Sequence, residues 1–162
     1  MLIVLLATAF FIPESMIKLK KILCPIDFSA CSTYALSYAI DLSLKDHASL
    51  YLIHVIETHT SDIGDILKQI DLLLDGKQID SLKMRLINLI PDNIRTNINI
   101  GTLVVKGIPF VEILTAAKDN QVDLIVMGTH GKTGLEHILI GSVAERVIQR
   151  SPCLVLSIRL PK

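Results

Sequence analysis

Val122-Asp-Leu-Ile-Val-Met127 runs directly into Gly128-Thr-His-Gly131-Lys-Thr-Gly134-Leu-Glu-His-Ile-Leu-Ile-Gly141-Ser142. The first part is a short apolar run of strand length. The glycine-rich part reads as a long connection, and residues 143–150 beyond it read as a helix. Strand, crossover and helix in this order form the repeating unit of a parallel sheet covered by helices.

Outward from this stretch, the same alternation recurs. Residues 21–26 (KILCPI) read as a first strand ending at Asp27. Ser29 is placed as an N-cap, and Tyr34, Ala35, Tyr38, Ala39 and Leu42 follow at helical spacing. Residues 48–56 (ASLYLIHVI) form a second strand. Ile63, Ile66, Leu67, Ile70, Leu73 and Leu74, then Leu82, Leu86 and Ile87, read as a helix broken near Gly76, since an interior glycine costs about 1 kcal/mol. Residues 97–105 form a third strand. Pro109 suits a first helical turn, with Val111, Leu114 and Ala117 as its apolar face and Ile113 at the edge. Residues 122–127 and 153–158 are the fourth and fifth strands. The expected fold is α/β: one doubly wound, five-stranded parallel sheet of order 3-2-1-4-5 with helices on both faces. Ligands in such sheets bind beyond the carboxyl ends of the strands, where the winding reverses. Strands 1 and 4 meet there, so the loops 25–29 and 128–142 define the expected crevice.

Composition narrows the function. The 162 residues are 51% hydrophobic and 20% charged, and 16 basic residues balance 16 acidic ones. Disorder requires the opposite balance. Zero net charge leaves no basic footprint for nucleic acid, and 4% aromatics without tryptophan leave no stacking platform. Of residues 1–12 all but Thr8 are apolar, which is too short for a membrane span of ~20 residues. The stretch also lacks the basic start of an export signal. Residues 1–15 therefore read as translation from an upstream start, as a packed or frayed extension, or as a weak export signal, with Met16 followed at once by the first strand. The folded domain is placed at 16–162, and no membrane association is expected. The three cysteines, Cys24, Cys31 and Cys153, show neither Cys-x-x-Cys nor zinc spacing. They suit core packing in a reducing, cytoplasmic setting.

The segment 128–142 has what phosphate binding requires. Glycines permit close backbone approach and positive φ, successive amides form an anion nest, and Gly141-Ser142 opens a helix with its partial positive charge. An ordinary loop with a helix cap is the alternative. Neither G-x-x-x-x-G-K-[ST] nor G-x-G-x-x-G is present, so a P-loop or dinucleotide site is not expected.

Gly128-x2-Gly131-x9-Gly141-Ser142 resembles the G-2x-G-9x-G-[S/T] pattern of ATP-binding universal stress proteins. Lys20-Lys-Ile-Leu-Cys-Pro25-Ile-Asp27-Phe-Ser29 looks like that family's first strand and loop. Leu52-Ile-His54-Val55, Val105-Lys-Gly107-Ile-Pro109 and Asp123-Leu-Ile-Val-Met-Gly128 are similar to its later motifs. The resemblance spans residues 17–158 and implies an adenine-nucleotide site. On matching positions, Pro25, Ile26 and Asp27 would meet the nucleoside, with Asp27 on the adenosine or a metal-linked network. Val55 would contact adenine through its backbone. Met127, Gly128 and Thr129 would line the pocket. Gly131, Gly141, Ser142 and Val143 would hold phosphates through main-chain donors. The implied cofactor is ATP, or AMP or ADP, with magnesium or manganese; no metal-ligating residue is assigned.

Bland readings stand beside these. The alternative for Asp27 is an Asx-type cap of the first helix. Lys132 reads as a solvated side chain, His130 as a loop histidine and His54 as a satisfied core histidine; no catalytic residue is assigned. In the resembling family the fifth strand pairs across a two-fold axis, which implies a homodimer through residues 153–158. Here Cys153-Leu154-Val155 lacks the family's proline, so Leu154 keeps its amide donor. The expected function is a cytoplasmic, stress-response regulatory protein that binds ATP as a homodimer. The alternatives are a slow ATPase or phosphotransferase and a nucleotide-free dimerisation module; the downstream protein partner is not identified.

Overall fold

The computed structural model describes residues 18–57, 76–131 and 140–161. The extension 1–15, the apolar positions between Ile63 and Leu74, and Lys132 with the middle of the glycine-rich segment lie outside the described residues. The elements run β1 (Lys21–Pro25), α1 (Ala30–Asp46), β2 (Ser49–Glu57), α2 (Gly76–Ile87), α3 (Asp92–Arg95), β3 (Ile100–Gly107), α4 (Pro109–Asp119), β4 (Leu124–Gly128), α5 (Ser142–Arg150) and β5 (Leu154–Ile158).

The sheet has five strands in the order β3-β2-β1-β4-β5, and every neighbouring pair is parallel. Side chains alternate along a strand, so each central strand supplies two cores. Ile22, Cys24, Leu50, Leu52, Leu124 and Val126 pack against Ala35, Leu36 and Ala39 of α1 and Leu86 of α2. Leu23, Ile53, Ile125 and Met127 pack against Ile113 and Ala117 of α4 and Ala144 and Val147 of α5. Burial on both faces explains the near-continuous Ile, Leu and Val runs.

Helices α1 and α4 keep most of their expected faces, with Ala35, Ala39 and Ala117 buried and Tyr34, Leu42 and Leu114 packed against the cores, and each departs in part. On α1 the buried stripe is Cys31, Ser32, Ala35, Leu36, Ala39, Ile40 and Ser43. Tyr38 is 40% exposed, and its ring meets Tyr34 edge-on at 5.4 Å on the outer surface. Small residues face the sheet because α1 crosses close over the end of β4. The Tyr34 and Tyr38 hydroxyls lie 3.1 Å apart, and this hydrogen bond raises the Tyr34 pKa. On α4 the buried residues are Ile113 and Ala117, whereas Val111 faces outward. Ile113 was placed at the edge of that face because the i, i+3, i+6 pattern fits several rotations of a helix equally well. Pro109 does occupy the first turn of α4, and Ser29 does cap α1, accepting from the Ser32 amide.

Candidate nucleotide site

The carboxyl ends of β1 and β4 open onto a cavity of ≈ 440 Å³. Pro25, Ile26 and Asp27 reach it from the turn after β1, and Val55 from β2. Met127, Gly128, Thr129 and Gly131 reach it from the end of β4, and Gly141, Ser142 and Val143 from the start of α5. All the residues singled out in the sequence thus come together on one cavity. Ser32, Ile53, Ile56, Glu57, Ile113 and Ala144 also line it and were not anticipated. Ile53, Ile56, Glu57 and Ala144 carried a usable signal, since each lies within two residues of a singled-out position. Pro109 lines the cavity as well and sits in one of the quoted motifs.

The turn after β1 is strained and tightly bonded. Phe28 has φ 63°, a left-handed conformation that costs a bulky residue on the order of 1–3 kcal/mol. Asp27 Oδ1 accepts from the Ser29 amide at 3.0 Å and from the Ser29 hydroxyl at 2.6 Å. This is the capping arrangement of an Asx turn. It uses one carboxylate oxygen and leaves the other turned elsewhere: a Cβ at Gly131 would lie 2.8 Å from Asp27 Oδ2. The capping role and a cavity-facing role therefore coexist in one side chain.

The glycines act through close approach, not through handedness. Gly107 has φ 151°, while no positive φ occurs at Gly128, Gly131 or Gly141. A Cβ at Gly128 would meet Cys31 Sγ at 2.9 Å and the Cys31 carbonyl carbon at 3.0 Å. Gly128 lines the cavity, but what excludes a side chain there is α1.

The backbone donors at this end of the cavity differ from the expected set. The Gly141 amide donates to the Thr129 carbonyl at 2.7 Å. That bond ties the two ends of the glycine-rich segment together and takes Gly141 out of the expected donor set. Gly141 is the N-cap of α5, with no side-chain hydrogen bond at this end. The first amides of a helix have no intrahelical acceptor, so the donors here are Ser142, Val143 and Ala144. Glu145 N–H already returns to the Gly141 carbonyl at 2.9 Å.

The described lining contains no lysine or arginine. Among the described residues no group of three His, Cys, Asp or Glu could hold a metal ion. An anion would thus be met by backbone amides and the α5 dipole, and a flat apolar group by Ile53, Val55, Ile113 and Met127. His130 Nδ1 lies 2.8 Å from the Thr129 hydroxyl. His54 is buried with Nδ1 2.7 Å from the Ile26 carbonyl, as expected of a satisfied core histidine, yet it also lines the cavity. Cys24 is fully buried, and burial pushes its thiol well above its ordinary range, which keeps it protonated and unreactive.

The universal stress protein family model matches residues 18–159. Universal stress protein MJ0531 of Methanocaldococcus jannaschii is 36% identical, over 98% of this chain and 96% of its own length. Universal stress protein MJ0577 of the same organism is 34% identical, over 85% of this chain and 94% of its own. A solved structure of MJ0577 superposes with TM-score 0.76 at 33% identity, covering 90% of this chain and 99% of that one. The universal stress protein UspA from Lactobacillus plantarum superposes with TM-score 0.70 at 25% identity, covering 88% and 99% of the two chains.

Proposed function

This chain belongs to the universal stress protein family, and from that premise we propose that it is a regulatory protein that binds ATP, with AMP and ADP as related ligands, and works as a cytoplasmic homodimer. One observation carries the reading. The ends of β1, β2 and β4 and the starts of α4 and α5 converge on a cavity of ≈ 440 Å³ lined by the Asp27 carboxylate and by the N-terminus of α5. That volume falls within the ~300–1,000 Å³ typical of small-molecule sites. Adenine lies against Val55 and Met127, Asp27 meets the ribose side, and the phosphates lie on the amides of Ser142, Val143 and Ala144. Gly131 leaves room for them beside Asp27. A magnesium or manganese ion would ride on the phosphate oxygens.

Turnover would need a group to position water or a hydroxyl near the terminal phosphate. His130 lies 2.8 Å from the Thr129 hydroxyl, and a test for phosphate release separates binding from turnover. Cys24, Cys31 and Cys153 are free thiols, which supports a reducing compartment. No helix among the described residues is long and apolar enough to cross a membrane. β5 pairs with β4 on one side and ends the sheet on the other, which supports dimerisation along that edge.

Calorimetric titration with ATP tests the reading. The wild-type chain should bind. Gly131→Ala, which sets a methyl group 2.8 Å from Asp27 Oδ2, should weaken binding about tenfold or more, equivalent to about 1.4 kcal/mol. Absence of wild-type binding overturns the proposal, and phosphate release in the same samples would replace it with the enzymatic alternative.

A further inference from the structure

Asp27 faces the cavity from a turn whose backbone is unfavourable in isolation, so something must hold that turn. Ile26, one residue before Asp27, donates its amide to the Ile53 carbonyl at 2.8 Å and accepts at its own carbonyl from His54 Nδ1 at 2.7 Å. Phe28, one residue after Asp27, is the left-handed residue, with φ 63°. Its ring lies 4.8 Å from the His54 ring, and the Arg85 guanidinium covers it at 4.3 Å. A single imidazole on β2 therefore grips both neighbours of Asp27, one through main chain and one through its ring.

We infer that His54 is a positioning residue for the nucleotide site: it clamps Ile26 and Phe28 and thereby sets the direction of the Asp27 carboxylate toward Gly131. The inference rests on the nucleotide reading above for its consequence, though not for its geometry. A carbonyl oxygen only accepts, so Nδ1 carries the proton and donates. His54 is 9% exposed, which shields this bond from competing water. Without the donor, the Ile26 carbonyl is left buried and unsatisfied, and the reversed turn at Phe28 relaxes toward an ordinary conformation. The Asx bonds from Ser29 hold Asp27 to the start of α1, where Ser29 caps the helix, so the turn keeps its α1 anchor and loses its β2 anchor.

The test uses the full chain and two readouts: ATP affinity by calorimetry, and the Ser29 amide, which bonds Asp27 Oδ1, by NMR shift and hydrogen exchange. His54→Asn keeps a nitrogen donor near the position of Nδ1, whereas His54→Leu removes it. His54→Leu should lower ATP affinity about tenfold and deprotect the Ser29 amide, and His54→Asn should restore both. In an Asp27→Asn background, His54→Leu should lower affinity no further, since effects on one coupled unit are not additive. Phe28→Gly accepts a positive φ without strain and so keeps the fold, yet it should also lose affinity because the ring half of the clamp is gone. Val122→Ala, in the core on the other face of the sheet and before the start of β4, should lower the melting temperature and leave affinity unchanged.

Wild-type affinity in His54→Leu, or full additivity with Asp27→Asn, overturns the inference. If the wild-type chain binds no ATP, the nucleotide reading falls, and the Ser29 amide with its asparagine rescue still decides whether the clamp exists.

Discussion

Gly128 shows how a residue's meaning changes with its surroundings. In sequence it belongs to a glycine pattern that suits an anion, and it does line the cavity. Its missing side chain, however, is required by Cys31, whose sulfur and backbone would both stand within about 3 Å of any Cβ. Gly128→Ala should therefore destabilise the fold by about 1–3 kcal/mol through overpacking, measured by urea denaturation. Adding Cys31→Ala should recover part of that loss, because it removes the sulfur contact and leaves the backbone contact in place. No recovery would show that the strain lies elsewhere. That Asp27 lines the cavity was legible from its place after the first strand. Which of its oxygens serves the turn and which faces Gly131 was not legible, since that depends on how residues 27 and 131 meet in space.

At the scale of elements, α5 carries the sharper test. Its N-cap amide is bonded back to Thr129, so the first donor available to a phosphate belongs to Ser142, at the first helical position. Proline is tolerated there, because the fixed φ suits a helix start and the lost N–H had no intrahelical partner. Gly141 before it is already extended, with ψ 153°, as a residue preceding proline must be. Ser142→Pro should thus leave thermal stability nearly unchanged and weaken ATP binding by about 1.5–3 kcal/mol, the worth of a hydrogen bond to a charged group. Adenosine affinity should not change. Equal losses for ATP and adenosine would place the phosphates away from α5. The existence of α5, α4 and α1 was readable from periodicity, and so were the Ser29 cap and Pro109 in the first turn of α4. Ala35 and Ala39 on the inner face of α1 were readable too; the outward turn of Tyr38 and the burial of Cys31 against Gly128 were not.

For the whole molecule, the open question is the edge of the sheet. Leu154 on β5 is 58% exposed, and β5 is the last strand of the order β3-β2-β1-β4-β5. Light scattering after gel filtration should give a dimer for the wild-type chain and a monomer for Leu154→Glu, with nucleotide affinity retained in the monomer. A monomeric wild type would refute pairing along this edge. The alternation of five strands with helices and the parallel sheet were already determined by the sequence alone, because apolar period, chain length and the right-handedness of crossovers are local or general constraints; the strand order that brings the two loops together was an assumption of that reading, and the short helix α3 was not foreseen. Only the tertiary structure decided which glycine serves a helix and which a cavity, which amide is already bonded, and why a core histidine holds the turn at Asp27. Each of those depends on a contact between residues distant in the chain: Gly128 with Cys31, Gly141 with Thr129, His54 with Ile26. Pattern along one strand or helix carries no information about such distances, which are set by how close the packed layers come.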